Sequence, residues 1–87
     1  MLEYVREEWG HLYSIHLYRD GDNWYWSYTK NIYYLLGPYD SEWEAIDAFK
    51  RRSSMTEYKE RNRQRYIMAV KSLAKEYGKG FVVEILL

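Results

Sequence analysis

Alternating apolar and polar positions in the first half of the chain predict β-strands. In 11–18 (HLYSIHLY), Tyr13, Ile15 and Leu17 fall on one face and the residues between them on the other. The next run, 23–29 (NWYWSYT), is rich in the aromatic residues that pleated sheets favour, and the turn residues before it predict an antiparallel hairpin. The predicted strands are 11–18, 23–29 and 32–36, the last closed by Gly37-Pro38, with a weaker strand at 2–6.

The pattern then changes to a helical period. Ser41 and Glu44 form a capping box, in which each side chain bonds an amide at the start of a helix. We expect this helix to reach about Arg52. Its sheet-facing residues are predicted to be Trp43, Ile46 and Phe49.

A second capping box, Ser54 with Glu57, predicts a long helix to Tyr77 that Gly78 ends. Residues 81–86 (FVVEIL) predict a closing strand. The order β-β-β-α-α-β predicts one α+β domain over residues 1–87. We expect an antiparallel sheet of three to five strands with both helices on one face.

Length and composition limit the class of protein. A chain of 87 residues has a small core, and without cysteine it has no disulfide or thiolate metal site to stabilise it. The start, MLEYVREEWG, lacks the apolar stretch of a secretion signal, and no apolar run is long enough to cross a membrane. We expect a soluble cytoplasmic protein, in the host cytoplasm if its gene is viral.

Charge is divided between the two halves of the chain. Residues 1–49 carry nine acidic and three basic residues, and residues 50–87 carry ten basic and four acidic ones. The net charge of zero therefore conceals halves of −6 and +6. Most of the aromatic rings lie in the acidic half. This polarity, with an excess of Tyr and Trp, favours a protein that works by contact rather than by chemistry.

A search for catalytic groups finds no convergent set. His11 and His16 are five apart, on opposite faces of a strand, so they cannot chelate one metal ion from it. Asp20-Gly21-Asp22 begins like a calcium loop, but Tyr25 and Asn31 stand where that loop needs Gly and Glu. We predict no catalytic residue, no metal site and no cofactor.

Two surfaces are candidates for binding. On the sheet, Trp24 and Trp26 are expected to enter the core, which leaves tyrosines on the outer face beside an acidic edge. The predicted partner-binding residues are Tyr18, Asp20, Asp22, Tyr25, Tyr33, Asp40 and Glu42. The second surface is the Arg-rich segment 50–65, suited to phosphate or acidic partners, with a merely solvated helix face as the alternative. Its predicted contacts are Arg51, Arg52, Arg61, Arg63 and Arg65.

Two resemblances bear on these surfaces. Trp24-x-Trp26 followed by 37–45 (GPYDSEWEA) resembles the strand-to-helix pattern of ββ(β)α modules, such as AP2-like and integrase arm-type DNA-binding domains. That similarity covers about residues 11–52. In plan, the whole chain is similar to small anti-CRISPR proteins of phages, which implies a non-enzymatic inhibitor with a charged or aromatic docking surface.

We therefore predict a non-enzymatic protein-interaction module, a viral or mobile-element inhibitor that docks on a host defence or nucleic-acid-handling protein. Its partner would be a host protein or a nucleoprotein complex, and no membrane is involved. One alternative is a nucleic-acid-binding regulator that uses segment 50–65 on phosphates. Another is a homodimer in which 81–87 (FVVEILL) or the aromatic edge pairs with its own copy.

Overall fold

The described strands and helices follow one another in runs, four strands, then two helices, then a last strand, which is the order typical of an α+β fold. The structure is a computed structural model, and it describes residues 1–10, 14–51, 63–78, 80 and 82–84. The predicted α+β class is confirmed: the described strands form one sheet in the order β1-β2-β3-β4-β5. The elements are β1 (Glu3–Trp9), β2 (Ser14–Asp20), β3 (Asn23–Ser27), β4 (Tyr34–Tyr39), α1 (Glu42–Arg51), α2 (Arg63–Tyr77) and β5 (Val82–Glu84).

The last strand makes this sheet mixed. Strands β1 to β4 pair antiparallel, whereas β5 lies parallel to β4, with Tyr34 opposite Val82 and Leu35 opposite Val83. Parallel neighbours need a long crossover connection, and here the connection contains both helices. The prediction of a wholly antiparallel sheet is therefore corrected at this one pair.

The two helices lie on opposite faces of the sheet, which corrects the prediction that both share one face. Consecutive residues of a strand point to opposite faces. Trp26 and Leu36 pack against Phe49 of α1, whereas Tyr25 and Leu35 belong to the cluster that contains Ala69 and Leu73 of α2. We name these the α1 face and the α2 face. The sheet is the middle layer because β3 has a large aromatic residue on each side.

Helix α1 begins with the predicted capping box. Ser41 Oγ accepts from the Glu44 amide at 3.1 Å, and a Glu44 carboxylate oxygen accepts from the Asp40 amide at 3.2 Å. Trp43, predicted to face the sheet, is instead 69% exposed. The buried residues Ala45, Ala48 and Phe49 fix the helix rotation, and Trp43 falls on the far side of that arc at 100° per residue.

Helix α2 confirms the C-terminal half of the second predicted helix. Ala69 and Leu73 are buried, and the Gly78 amide closes the helix on the Ala74 carbonyl at 2.8 Å, with φ at +92°. The predicted start at Ser54 and the polar stretch after it, as far as 62, lie outside the described residues.

Strand β4 continues through Gly37-Pro38, where it was predicted to close. Two residues of β4, Gly37 and Pro38, lie opposite the single residue Tyr25 of β3, because Trp26 pairs with Leu36 and Trp24 with Tyr39. This is a β-bulge, which accommodates an extra residue without ending the strand. Gly37 has φ +150°, and a Cβ there would lie 2.7 Å from the Trp24 carbonyl oxygen. Only glycine fits this close approach.

Replacing Gly37 by Ala should destabilise the fold by roughly 3 kcal/mol, because backbone strain adds to a collision with main-chain oxygen. Gly21→Ala is the matched control. Gly21 also has positive φ, +61°, but a Cβ there meets nothing within 4 Å. That change should cost about 1–2 kcal/mol. Urea unfolding of both variants measures the difference, and equal losses would contradict the packing argument.

Two buried tyrosines link the core to pH. Burial raises the pKa of Tyr39 to about 12. Burial, helped by the Asp20 charge, also raises the pKa of Tyr25. Both side chains have no exposed surface. The native state therefore holds phenol protons that the unfolded chain releases near pH 10.

We expect the free energy of unfolding to be independent of these groups below about pH 10 and to fall above it. Each tyrosine should remove roughly 1.4 kcal/mol per pH unit until its folded pKa is reached. Urea unfolding at several pH values between about 9 and 12 gives the slope. In Tyr39→Phe the loss of stability per pH unit should be smaller by roughly 1.4 kcal/mol, the contribution of one tyrosine. An unchanged slope would show that Tyr39 does not contribute to the pH dependence.

Candidate functional site

Two of the three predicted surface tyrosines are in the core. Tyr25 is fully buried and Tyr18 is 3% exposed, so neither can contact a partner from the folded chain. Both point to the α2 face. Because both helices were predicted on the opposite face, this one was expected to be exposed to solvent. Tyr33 is 44% exposed, in agreement with its predicted position.

Most of the predicted acidic edge is neutralised within the chain. Asp20 Oδ1 lies 3.1 Å from the Met1 amino group. Glu42 Oε1 accepts from Arg6 Nε at 2.8 Å, and Asp40 forms an ion pair with Arg65. The Asp22 side chain is exposed and makes no ion pair with a described residue. Arg65 contacts both positions, since its guanidinium donates to the Asp22 backbone carbonyl and pairs with the Asp40 carboxylate.

Arg65 holds two connections of the sheet together. Its Nε donates to Asn23 Oδ1 at 2.7 Å, and its Nη2 donates to the carbonyls of Asp22 at 3.0 Å and Tyr39 at 3.3 Å. With Asp40 as a further acceptor, the guanidinium joins the β2–β3 turn to the end of β4. Its predicted role in phosphate binding is not supported, because these internal contacts already use its donors.

The other predicted arginines are not gathered into one site. Arg51 pairs with Asp47, one helical turn earlier, at 3.1 Å. Arg63 is exposed at the start of α2. Arg52 and Arg61 lie outside the described residues. A shallow groove of about 380 Å³ runs beside Arg65, bounded by α2 and Asn23. Its wall is mainly apolar, and the Arg65 guanidinium is already hydrogen-bonded within the chain.

A different surface stands out on the outer half of the α2 face. Strand register places Glu7 opposite His16 and Trp9 opposite Ser14, all on the face that carries Tyr18. Tyr4 lies opposite Tyr18 and continues the row. Lys30, from the loop after β3, reaches over the Tyr4 ring. We name this surface the β1–β2 patch: Tyr4, Glu7, Trp9, Ser14, His16 and Lys30.

Direct contacts fix the Tyr4 end of the β1–β2 patch. A hydrogen bond of 3.1 Å joins Tyr4 Oη to His16 Nδ1. The Tyr4 ring meets the Tyr18 ring edge-on with centroids 5.4 Å apart, and Lys30 Nζ lies 5.3 Å from the Tyr4 centroid. Tyr4 nevertheless remains 45% exposed. Its ring is therefore held in place and still available for contact.

The other end of the patch is aromatic and acidic. Trp9 is 69% exposed at the end of β1. Beside it, Glu7 Oε1 accepts a hydrogen bond from Ser14 Oγ at 2.8 Å. No described cation pairs with Glu7. The patch thus presents one uncompensated carboxylate between two exposed aromatic rings.

This arrangement lacks the connections of a hydrolytic site, although Ser14, His16 and Glu7 are neighbours. Nucleophilic catalysis by serine needs the hydroxyl bonded to a general base. Here Ser14 bonds Glu7, while His16 Nδ1 is bonded to Tyr4. Within the described ranges, no group of three or more His, Cys, Asp or Glu side chains could hold a metal ion.

The β1–β2 patch is bare because α2 does not extend over it. The cluster under α2 draws on Tyr18, Tyr25, Leu35 and Val83, so the helix covers the β3–β5 side of its face. Among the described helices, α1 packs on the other face, where it meets Ile15 and Leu17 of β2. Sequence reasoning missed Trp9 and Tyr4 because it treated the first strand as weak. The spacing of Tyr4, Glu7 and Trp9 becomes regular only when the irregular pairing between Tyr4 and Arg6 is known.

Comparison with known proteins adds no relative. No protein-family model, curated protein or solved structure matches this chain. The two resemblances drawn from the sequence remain predictions, and the function is argued from the surface itself. Among the described helices, none is both long and apolar enough to span a bilayer.

The Arg65 contacts predict a structural role for this side chain. Arg65→Lys should lower the free energy of unfolding by about 1.5–3 kcal/mol, because one ammonium cannot reach Asn23, Asp40 and two carbonyls together. Arg63→Lys, an exposed position on the same helix, is the control and should change stability by less than about 0.5 kcal/mol. Thermal and urea unfolding measure both. Similar losses in the two variants would contradict the bracing role.

Proposed function

We propose that this protein is a non-enzymatic interaction module that binds a protein partner through the β1–β2 patch. The observation that carries the proposal is Trp9, which is 69% exposed beside Tyr4, at 45%, on the part of the α2 face that no described helix covers. Aromatic side chains on a rigid sheet supply large contact area with little rotamer entropy to lose.

The composition of the patch supports a protein interface. Binding energy in such interfaces comes from a few Trp, Tyr and Arg residues surrounded by a polar rim. Trp9 and Tyr4 would be the anchors, and Glu7, Ser14 and Lys30 would form the rim. Tyr4 is already positioned by His16 and Tyr18, so its ordering costs little on binding.

Charge favours a basic partner over a nucleic acid. Strand β1 carries three acids against Arg6: Glu3 pairs with Arg19 and Glu8 with Arg6 and Lys50, whereas the Glu7 carboxylate has no described cation. Phosphates would be repelled by this strand. Nucleic-acid binding through segment 50–65 stays a prediction, and the internal contacts of Arg65 do not favour it.

In its specific form, the proposal is that of an inhibitor, encoded by a virus or mobile element, that docks on a host defence or nucleic-acid-handling protein. An acidic strand flanked by aromatic rings suits the basic groove in which such proteins hold nucleic acid, and its affinity would fall with salt. The support for this form is the charge of β1 and the resemblance in plan to anti-CRISPR proteins.

Two tryptophans provide a matched test of the binding surface. Trp9 and Trp43 are equally exposed, at 69%, but Trp43 lies on α1, on the other side of the sheet. Tagged wild-type, Trp9→Ala and Trp43→Ala proteins would be used to recover partners from lysate of the source cell after nuclease treatment, with quantitative mass spectrometry. The partner should be recovered with wild type and Trp43→Ala.

For Trp9→Ala we expect affinity to fall at least about thirtyfold, the loss of a strong interface anchor. Both variants should keep the thermal stability of wild type, since neither side chain is in the core. A partner lost equally in both variants, or in neither, would place the interface elsewhere. Recovery only of nuclease-sensitive material would favour the nucleic-acid regulator.

A further inference from the structure

Strand β1 is the terminal strand of the described sheet, and among the described residues its outer edge is open. It pairs with β2 on one side, and no described strand pairs with it on the other. Such an edge presents a row of unpaired backbone N–H and C=O groups, a template for another strand. At seven residues, β1 is longer than the three described residues of the opposite edge strand, β5.

The second half of β1 is suited to pairing. The irregularity lies between Tyr4 and Arg6, and from Arg6 to Trp9 the register with β2 runs without a break. A bulge protects an edge only where it lies, so this segment keeps a regular pleat. On the α1 face its side chains are already engaged: Arg6 with Glu42, and Glu8 with Arg6 and Lys50. On the α2 face, Glu7 and Trp9 are available.

A second copy of this chain fits the edge poorly. When two identical strands pair antiparallel in one sheet, the two-fold axis is normal to the sheet and one residue lies opposite its own copy. A register centred on Trp9 would place every earlier residue opposite chain beyond the end of β1, so the registers that overlap within the regular segment are centred on Arg6, Glu7 or Glu8. Each places like charges directly opposite one another, which is destabilising.

We propose that β1 binds an extended basic segment of a partner protein by strand addition. The segment would place Lys or Arg opposite Glu7 and apolar side chains beside Tyr4 and Trp9. Main-chain hydrogen bonds along the edge supply affinity, and the alternate side chains supply specificity. Glu7 is the fitting counter-charge because the only described partner of its carboxylate is the neutral Ser14 hydroxyl, and Arg6 reaches only its backbone carbonyl. This inference rests on the proposed function, since it uses the same patch.

The experiment uses a synthetic peptide of alternating valine and lysine with threonine ends, titrated into the full chain. Amide hydrogen exchange and NMR shifts of β1 are recorded. Strand addition should newly protect every second amide between Arg6 and Trp9, because the amides between them already point to β2. Two kinds of control peptide are compared. In the first, the lysines are replaced by glutamate. In the second, every second residue is N-methylated, in two versions that between them block both alternate sets of amides.

We expect affinity to fall at least about tenfold for each control peptide, the first through charge and the second through lost main-chain bonds. Glu7→Lys in the protein should have a similar effect and should restore binding of the glutamate peptide. Sedimentation of the free protein should give a monomer. A concentration-dependent dimer with the same alternating protection would overturn the proposal in favour of a second copy.

Failure of this inference is distinguishable from failure of the proposed function. If the lysine peptide binds in a Trp9-dependent way but the N-methylated peptide binds equally well, the patch is an interface and strand addition is wrong. If no peptide alters β1 while the cellular partner still depends on Trp9, strand addition is likewise wrong. If neither peptide nor partner depends on Trp9, both proposals fail.

Discussion

The central strand β3 is covered on both faces, and the rest of the architecture follows from that constraint. Trp26 and Tyr25 point in opposite directions and neither retains any exposed surface. Burying two such rings requires a helix on each side, so α1 takes one face and α2 the other. Both described helices pack on the middle of the sheet, so neither covers the α2 face of β1 or the part of β2 that carries Ser14 and His16. The exposed patch is thus a consequence of how the core is filled.

The same packing changes the meaning of the charge pattern. Acids concentrated in the first half of the chain and bases in the second suggested two separate binding surfaces. Folding brings them together: Arg65, from the basic half, reaches Asp40, and Arg6 neutralises Glu42 from within the acidic half. Opposite charges attract over the short distances of a folded domain, so segregation along a sequence does not imply segregation on a surface. On the β1–β2 patch, what remains for a partner is the less prominent charge of Glu7.

The patch and the open edge of β1 support one another as features of a binding protein. An exposed Trp9 on an isolated loop would have to be ordered by its partner, whereas here it extends from a paired strand beside Ser14. An open edge without side-chain anchors would accept any strand and would risk aggregation. Tyr4 and Trp9, with the acidic Glu7 between them along β1, make that edge selective for its partner.

The sequence by itself determined the elements that local chemistry controls: the capping box at Ser41, the helix end at Gly78 and the strands around Trp26. Hydrophobic period and capping act over a few residues, so they can be read without the fold. Only the tertiary structure decided which face each helix covers, and hence that Tyr25 is buried while Trp9 is exposed. It also decided the direction of β5. Those outcomes depend on contacts between residues far apart in the chain, where a single pattern of alternation fits either face equally well.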